Sequence, residues 1–218
     1  MPIAEGVDDV TAAALGNTGL AAWTSLTWRA RLQKGESVLV LGACGALGRI
    51  AHQGACALGA GVVVAADRPG PALERPGESG LVTVPFGGDP ERFAHEMIER
   101  DGPFDVIIDP LWGLPALSAI KAARHGARLV QMGQLASPSL NLMATDLRAR
   151  AVDVLSYALF HYPFDNRRAA YLELTKRAAD GEIKVDVEAV AVSNVEDAWD
   201  RQAAGVAKEL VIVPDGRA

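Results

Sequence analysis

The stretch SVLVLGACGALGRIAHQGACALGAGVVVAAD, residues 37–67, decides the fold. Its first part, Val38–Leu41, is a short run of β-branched and aliphatic residues, which is typical of a strand buried on both faces. A turn with regularly spaced glycines follows, and then an Ala-rich segment from about Leu47 to Leu58 predicts a helix. After a Gly-Ala-Gly stop, a second apolar run, Val62–Ala66, ends on Asp67. The order strand, turn, helix, strand predicts a βαβ unit with two parallel strands.

The glycine turn predicts what this unit binds. Three glycines give the spacing GxxGxxG rather than GxGxxG, and a glycine triplet alone is weak evidence because glycines close many strand-to-helix turns. Here the flanks are correct on both sides, and Asp67 follows the last glycine by 19 residues. Glycines let the backbone approach a pyrophosphate, the helix N-terminus faces its charge, and the acid meets a ribose hydroxyl. We therefore predict a dinucleotide site whose turn residues are Gly42, Ala43, Cys44, Gly45, Ala46, Leu47 and Gly48.

The pair Asp67-Arg68 leaves the kind of dinucleotide open. A carboxylate at the end of the second strand accepts hydrogen bonds from the ribose hydroxyls and repels a 2′-phosphate, which favours NAD. An adjacent arginine binds such a phosphate well, which favours NADP. Arg68 is equally well explained as a solvated loop charge. NAD is slightly favoured as the cofactor, and NADP stays open.

Size and composition exclude several classes of protein. The chain has 218 residues, half of them hydrophobic, so it can bury a full core in one domain or in one domain plus appendages. The formal net charge is −6 and the basic residues are scattered, which leaves no basic stripe for a nucleic acid. No apolar run approaches the ~18–20 residues of a membrane span, and the acidic start MPIAEGVDDV lacks the features of a signal peptide. The two cysteines, Cys44 and Cys56, lack metal-site spacing, so we expect a reduced, cytoplasmic protein without a bound metal.

Short apolar runs alternate with helical segments along the rest of the chain. The further strands are predicted at Leu81–Val84, Asp105–Asp109, Ala127–Met132 and Val152–Tyr157. The further helices are predicted at Glu91–Arg100, at Leu114–His125 with Gly126 as its C-cap, and at Arg167–Ala179. Residues 68–80, rich in Pro and Gly, read as a loop or a frayed helix. The alternation predicts the α/β class with a doubly wound parallel (Rossmann) sheet in the order 3-2-1-4-5-6.

The two ends of the chain differ from this pattern. Residues 1–34 are predicted to be a helical lead-in, with a break at residues 16–19. At the other end, Lys184–Val192 and Leu210–Val213 predict two strands beyond the six, around a helix at Val195–Gln202. We therefore divide the chain into a lead-in (1–34), a dinucleotide-binding domain (35–165) and a C-terminal helix with leftover strands (166–218).

The whole chain resembles the medium-chain dehydrogenase/reductase superfamily, in its zinc-independent quinone oxidoreductase branch. The resemblance covers residues 2–214 and lies in GNTGLAAWTSL (16–26), VLVLGACGALG (38–48), DVIIDPLWG (105–113), HGARLVQMGQ (125–134) and VEDAWDRQAAGVAKELVIVP (195–214). It implies a homodimer and an NAD(P)-dependent hydride transfer to a quinone or another small apolar carbonyl substrate, without a metal. Ala14 stands about where the zinc-dependent branch has a ligating cysteine, and an alanine cannot ligate.

The resemblance also implies which residues surround the nicotinamide. Thr18 lies where the superfamily often places a side chain near that ring, with Asn17 beside it. The alternative for Thr18 is a capping hydroxyl at a helix break. The backbone of Pro110-Leu111 and of Met132-Gly133 follows strands four and five, where ligands collect in such folds. The alternative for Asp109 is a cap for the following helix, and we expect cofactor contact from the backbone here rather than from this side chain.

No catalytic side chain stands out. His161 lies in the loop after the sixth strand with Tyr157, Phe160 and Tyr162, and the resemblance places this loop near the substrate cleft. The aromatic cluster is either a flat wall for a quinone or enone, or simply core beneath a loop. Asn17, Thr18, Tyr157 and His161 are therefore only weak catalytic candidates.

The resemblance exposes one departure. Members of the family begin with a GroES-like catalytic domain, of order 100 residues, and the sequence as given opens where that domain is ending. The last strands of the family return to it, so Val185–Val192 and Leu210–Val213 would have lost their partners, and we expect a partner chain, a homodimer contact or local repacking there. Three functions stay open: the cofactor half of an NAD(P)-dependent quinone or enone reductase, which we favour; a non-catalytic dinucleotide-binding module or subunit of a split enzyme; and a biosynthetic tailoring enzyme that uses the open cleft for non-redox chemistry.

Overall fold

The chain begins with a long helical segment. The structure, a computed structural model, describes residues 1–68, 82–85, 89–205 and 208–216, with the backbone alone for 82–85. The segment consists of α1 (Asp9–Ala14), a π-helical turn (Leu15–Gly19), α2 (Leu20–Thr24) and a second π-helical turn (Ser25–Ala30). The predicted break at residues 16–19 is wrong, because the helix widens there by the longer hydrogen-bonded ring of a π-turn and continues.

The remaining elements alternate between strands and helices. In chain order they are β1 (Ser37–Leu41), α3 (Ala46–Ala57), β2 (Val62–Asp67), β3 (Val82–Pro85), α4 (Pro90–Asp101), β4 (Phe104–Asp109), α5 (Gly113–Lys121), β5 (Ala123–Gln131), α6 (Ala144–Arg148), β6 (Asp153–Ser156), a 3-10 turn (Leu159–His161), α7 (Phe164–Ala179), β7 (Val187–Ala191), a 3-10 turn (Val192–Asn194), α8 (Val195–Ala203) and β8 (Glu209–Val213). Beyond Arg68, the predicted loop at 68–80 lies outside the described residues, as does Leu81 at the start of the third predicted strand. No helix in the described part of the chain is long and apolar enough to cross a membrane.

Strands β1 to β6 form one parallel sheet in the order β3-β2-β1-β4-β5-β6, which confirms the predicted doubly wound topology. In the register of the central strands, Val40 of β1 lies opposite Ala65 of β2 on one side and Ile108 of β4 on the other. The chain moves outward from β1 to β3 and then returns to start β4 beside β1. The crevice at the carboxyl ends of β1 and β4 is therefore the topological switch point, where such sheets bind ligands.

Two hydrophobic clusters cover the two faces of this sheet. Val38 and Val40 of β1 face one cluster, which also contains Trp23, Ile50 and Leu174 from the α2, α3 and α7 layer. Leu39 and Leu41 alternate with them and face the second cluster, which belongs to the α4 and α5 layer. All five residues of β1 are buried, and Val38–Leu41 are apolar without alternation, as expected for a central parallel strand.

Helix α5 is shorter than predicted. It ends at Lys121, with Ala122 as its C-cap, and β5 already begins at Ala123. Gly126 is therefore not the C-cap; it has φ of 78° within β5, and its N–H donates to the carbonyl of Arg150 at 2.7 Å. The start of β5 is irregular, because its pairing with β4 shifts in register between Phe104 and Val106.

The two strands at the C-terminal end lie outside the main sheet. β7 and β8 pair with each other in parallel, with Val190 opposite Ile212, as a separate two-stranded sheet that packs on α1 and α8. Both strands were predicted, although β7 begins at Val187 rather than at Lys184. The division of the chain at residues 34 and 165 stays a prediction.

Candidate cofactor site

The glycine turn lies at the switch point between β1 and α3. Gly42 has φ of 65°, a left-handed conformation that favours glycine. A Cβ at this position would lie 3.3 Å from Cδ2 of Leu111 and 3.4 Å from Cγ of Pro110. The turn therefore packs directly on the segment that follows β4, so the two segments that border the crevice at the carboxyl ends of β1 and β4 are in contact.

The third glycine lets α3 approach this turn closely. A Cβ on Gly48 would lie 2.4 Å from the carbonyl oxygen of Gly42 and 2.6 Å from Cα of Ala43. Ala46 and Leu47 begin α3, with Gly45 as its N-cap, so their N–H groups have no acceptor within the helix. Backbone donors and a helix dipole at a turn that only glycine permits are what a pyrophosphate requires. The glycine turn and the first turn of α3 therefore fit the pyrophosphate of the predicted dinucleotide.

Asp67 is bound to the same turn. Its Oδ2 accepts a hydrogen bond from the N–H of Cys44 at 2.8 Å, and its Oδ1 accepts one from the N–H of Arg68 at 2.7 Å. Each carboxylate oxygen accepts a second bond, so a ribose hydroxyl still finds an acceptor at this half-buried side chain. The structure thus joins the acid and the glycine turn, as the spacing predicted.

Arg68 is exposed at the rim of a hollow of about 690 Å³. The first turn of α5 forms one wall of the hollow, and the loop after β5 forms the other. Its remaining lining residues are Gly113, Leu114, Pro115, Leu117, Ser118, Ala136, Ser137, Ser139, Leu140 and Asn141. Among the described residues that line the hollow, Arg68 is thus the one charged side chain, and it directly follows Asp67.

Asp109 organises the segment after β4. Its Oδ1 accepts hydrogen bonds from the N–H groups of Leu111 and Trp112, each at 2.9 Å, and so holds the turn before α5. The capping alternative is wrong, because the N-cap of α5 is Trp112 and that helix has no side-chain cap bond. Trp112 has φ of 58°, a strained value for a residue with a side chain, and it precedes α5. Asp109 is fully buried, and this burial raises its pKa to about 6, although the two backbone bonds act in the opposite direction. Among the described residues, Oδ2 of Asp109 has no hydrogen-bond partner.

The segments after β4 and β5 are joined by their backbones. The N–H of Met132 donates to the carbonyl of Asp109 at 2.9 Å. A Cβ on Gly133 would lie 2.4 Å from the carbonyl oxygen of Pro110, so only glycine permits this approach. The structure therefore brings Pro110, Leu111, Met132 and Gly133 together, and it places them against Gly42.

Thr18 lies in the first π-helical turn and does not cap a helix. Its hydroxyl donates to Oε1 of Glu209 in β8 at 3.3 Å, which contradicts the capping alternative. Glu209 and Ala46, the first residue of α3, line the same small hollow, so Thr18 lies on that side of the glycine turn. Asn17 is exposed. The role of either residue at a nicotinamide stays a prediction.

The aromatic cluster packs mainly on the N-terminal helical segment. The hydroxyl of Tyr157 is 2.7 Å from Oγ1 of Thr24, and burial raises the pKa of Tyr157 to about 12. Trp28 stacks on Tyr162 with ring centroids 4.5 Å apart and lies 6.0 Å from the ring of Tyr157. These contacts favour core packing for the two tyrosines. In contrast, Phe160 is 80% exposed and His161 is exposed, and their role near a substrate stays a prediction.

The sequence reasoning missed Arg49. This residue directly follows Gly48, and its Nε donates to the carbonyl of Cys44 at 3.1 Å, so its guanidinium lies beside the glycine turn. Within the described part of the chain it forms no ion pair. A cation near a helix N-terminus is disfavoured by the helix dipole unless an anion is also present. Its position immediately after the third glycine could have identified it from the sequence as a basic residue beside the predicted pyrophosphate site.

No group of three or more His, Cys, Asp or Glu side chains that could hold a metal ion occurs in the described ranges.

Sequence comparison gives one kind of relative. No protein-family model matches the chain. The chain is similar to one of the subunits of the phenolphthiocerol/phthiocerol polyketide synthase from Mycobacterium tuberculosis, with 29% identity over 227 residues. This match covers 98% of the chain but only 10% of the relative. The chain thus corresponds to a small part of that protein.

Solved structures confirm the fold. A quinone oxidoreductase from Pseudomonas syringae pv. tomato has a TM-score of 0.83 and 23% identity over 98% of this chain and 67% of its own. A 2-haloacrylate reductase has a TM-score of 0.85 and 22% identity over 99% of this chain and 69% of its own. CurA from Vibrio vulnificus, solved with NADPH, has a TM-score of 0.75 and 16% identity, covering 93% of this chain and 64% of its own. At the level of the fold, the resemblance to quinone oxidoreductases is confirmed, and the chain spans about two thirds of these enzymes.

Proposed function

We propose that this chain is the cofactor-binding part of an NAD(P)H-dependent, zinc-independent oxidoreductase that reduces a quinone or an activated carbon–carbon double bond. The observation that carries the proposal is the glycine turn at the switch point, where Gly48 admits α3 to within contact of Gly42 and Ala43. The first turn of α3, which follows directly, has the N–H groups of Ala46 and Leu47 without an acceptor in the helix and so suited to a pyrophosphate. The named activities of the similar enzymes, quinone oxidoreductase and 2-haloacrylate reductase, support the reaction class.

In this proposal the dinucleotide lies across the carboxyl ends of the strands. The glycine turn and the first turn of α3 hold the pyrophosphate, with Arg49 adding a positive charge beside them. Asp67 receives the adenosine ribose, and the backbone of Pro110-Leu111 and Met132-Gly133 supports the nicotinamide half. When bound, the dinucleotide supplies a hydride from C4 of its reduced nicotinamide. The chain itself binds and orients, and the reduced product takes its proton from solvent.

The proposal keeps both nicotinamide dinucleotides open. Asp67 repels a 2′-phosphate and favours NAD. Arg68, the next residue, is exposed and positively charged, which suits a 2′-phosphate and favours NADP. One similar enzyme was crystallised with NADPH, which supports the second choice. Arg68 is then the residue that decides between the two.

A titration of the purified chain with NADH and with NADPH tests binding. Turnover is then followed as the loss of reduced-nicotinamide absorbance with a simple quinone as acceptor. We expect binding of at least one dinucleotide, and loss of that binding in Gly48→Ala but not in Gly16→Ala, whose Cβ would meet nothing within 4 Å. Binding without turnover would restrict the chain to a non-catalytic module or a subunit of a split enzyme. Absence of binding to both dinucleotides would refute both functions.

A second candidate is a reductive part of a polyketide synthase-like assembly. The observation that favours it is the similarity of 98% of the chain to a segment of a polyketide synthase subunit. Its substrate would be an unsaturated acyl thioester, with the hydride added at the β-carbon and a proton at the α-carbon. Comparing crotonyl-CoA with a quinone as acceptor separates the candidates. A biosynthetic reaction without redox chemistry would consume no NAD(P)H with either acceptor.

The C-terminal sheet supports the proposal that a further domain or chain completes the enzyme. Trp199 of α8 is 76% exposed, and Val192, Val195 and Ile212 of the same C-terminal segment are also exposed. A second domain, a partner chain or a second copy that covers this surface would supply the substrate pocket. Size-exclusion chromatography with light scattering tests the homodimer among these options.

A further inference from the structure

Asp109 has a buried oxygen that the turn does not use. Its Oδ1 holds the N–H groups of Leu111 and Trp112, while its Oδ2 is buried without a hydrogen-bond partner in the described part of the structure. An unpaired buried carboxylate oxygen is costly when it carries a negative charge, and less so when it is protonated. Because Oδ1 makes both turn bonds, a proton on Oδ2 leaves the turn in place. The two protonation states therefore differ in charge rather than in conformation.

No neighbouring cation among the described residues compensates this carboxyl. Its partner in the register of β5 is Gln131, which is neutral and donates to the carbonyl of Gly133. The cation of α5, Lys121, pairs with Glu91 and Asp146 instead. Burial raises the pKa of Asp109 to about 6, and among its causes there is no charged side chain. A small change in the local charge therefore suffices to change its protonation near neutral pH.

The proposed cofactor brings such a charge. The segment that Asp109 holds touches the glycine turn, since a Cβ on Gly42 would lie 3.3 Å from Cδ2 of Leu111. A dinucleotide places its negatively charged pyrophosphate at that turn and removes water from the groove. Both effects disfavour a second negative charge on Asp109. An oxidised nicotinamide carries a positive charge that offsets part of this repulsion, whereas a reduced nicotinamide does not.

We propose, on the basis of the function proposed above, that Asp109 is a positioning residue whose protonation is linked to dinucleotide binding. The neutral carboxyl is the form that binds tightly, and binding draws a proton from solvent onto Oδ2. Affinity for the reduced dinucleotide then rises as the pH falls from 8.5 to 5.5, and affinity for the oxidised form rises less. Each tenfold gain in affinity corresponds to an increase of one in the pKa of Asp109 on binding.

Isothermal titration of the chain with NADH tests this inference, because NADH lacks the 2′-phosphate that itself titrates near pH 6. Titrations at pH 6.5 in two buffers of different ionisation enthalpy report the protons taken up. We expect net proton uptake by the wild type and none by Asp109→Asn, which keeps an oxygen acceptor for the two turn bonds but cannot ionise. Asp109→Asn is expected to bind at every pH as the wild type does at low pH. Asp200→Asn, a change at an exposed carboxylate of α8, is expected to keep the wild-type profile.

The outcomes separate the two proposals. Tight binding without proton uptake or pH dependence would overturn the role of Asp109 and leave the proposed function intact. A pH dependence that persists in Asp109→Asn would assign the proton to another group, such as one of the four histidines, and would also overturn it. If NADH fails to bind, the same comparison is made with NADPH, where the difference between wild type and Asp109→Asn isolates the residue. Failure to bind either dinucleotide at any pH refutes both proposals.

Discussion

Replacing Gly48 by alanine tests the closest contact in the glycine turn. The added methyl would lie 2.4 Å from the carbonyl oxygen of Gly42 and 2.6 Å from Cα of Ala43. Ordinary van der Waals contact begins at 3.4 Å, so relief requires a displacement of about 1 Å. Both contacting atoms belong to the backbone, and neither can move by a change of rotamer. The substitution must therefore push α3 away from the turn or open the turn itself.

The magnitude follows from two opposing effects. Overpacking of a close contact typically costs about 1–3 kcal/mol. Alanine gains up to about 1 kcal/mol over glycine in a helix, which offsets part of that cost. We expect Gly48→Ala to lower the free energy of unfolding by about 1–2 kcal/mol. Dinucleotide affinity is expected to fall more than tenfold, because the same displacement moves the N–H groups of the first turn.

Gly16→Ala is the matched control. A Cβ at Gly16 would meet nothing within 4 Å, so alanine there is expected to be neutral or stabilising by up to about 1 kcal/mol. Urea unfolding followed by far-UV circular dichroism gives the free energy of unfolding of both variants, and dinucleotide titration gives their affinities. If Gly48→Ala unfolds within about 0.5 kcal/mol of Gly16→Ala and binds as the wild type does, α3 does not depend on this contact, and the reasoning fails.

Three further changes probe other parts of the site. For Asp109, the pKa is about 6 in the folded chain against an ordinary value of 3.8, so its contribution to stability is present below pH 4 and lost as the pH rises through 6. The unfolding free energy of Asp109→Asn minus that of the wild type is thus expected to rise by up to about 3 kcal/mol between pH 3.5 and 7, and a flat difference would contradict this. Tyr157→Phe removes a hydrogen bond to Thr24, whose hydroxyl still donates to the carbonyl of Leu20. We therefore expect the free energy of unfolding in urea to fall by about 0.5–1.5 kcal/mol. In an absorbance titration, the phenol with a pKa of about 12 is expected to disappear, and its retention would contradict the assignment to Tyr157. Arg68→Ala is expected to weaken NADPH binding with little effect on NADH, and an equal effect on both dinucleotides would exclude recognition of the 2′-phosphate.

The strands and the glycine turn could be predicted because their sequence reflects local physical constraints. The central residues of the two strands, Val38–Leu41 in β1 and Val106–Ile108 in β4, are apolar without alternation, since both faces of the sheet are covered by helices. Gly42 and Gly48 are required by a positive φ and by a close backbone approach. Such constraints act on individual residues, and a single sequence displays them.

Other features depend on contacts distant in the chain. The glycines at 16 and 19 read as a helix break, but Gly19 lies in a π-turn where a Cβ would come 3.3 Å from Cδ2 of Leu174 in α7, so tertiary packing keeps the helix intact. Likewise, the sequence predicts the end of α5 at Gly126, but burial of Ala122 and Ala123 beside Phe104 ends the helix earlier. The bonds from Asp67 to Cys44 and from Asp109 to Trp112 depend on turn geometry that residue types alone do not specify.

The C-terminal sheet bears on what completes the site. Parallel strands are normally covered on both faces by other elements, and their sequences are therefore apolar throughout. Among the residues of β7 and β8, however, only Val190 is buried, and Ile212 is 41% exposed. A two-stranded sheet is marginally stable on its own, so this pair depends on its packing against α1 and α8. Glu209 begins β8 and bonds to Thr18 near the first turn of α3, so the sheet adjoins the glycine turn. A domain or chain that covers this sheet would thus also adjoin the glycine turn, so changes at Thr18 or Glu209 are expected to affect both the sheet and the proposed cofactor site.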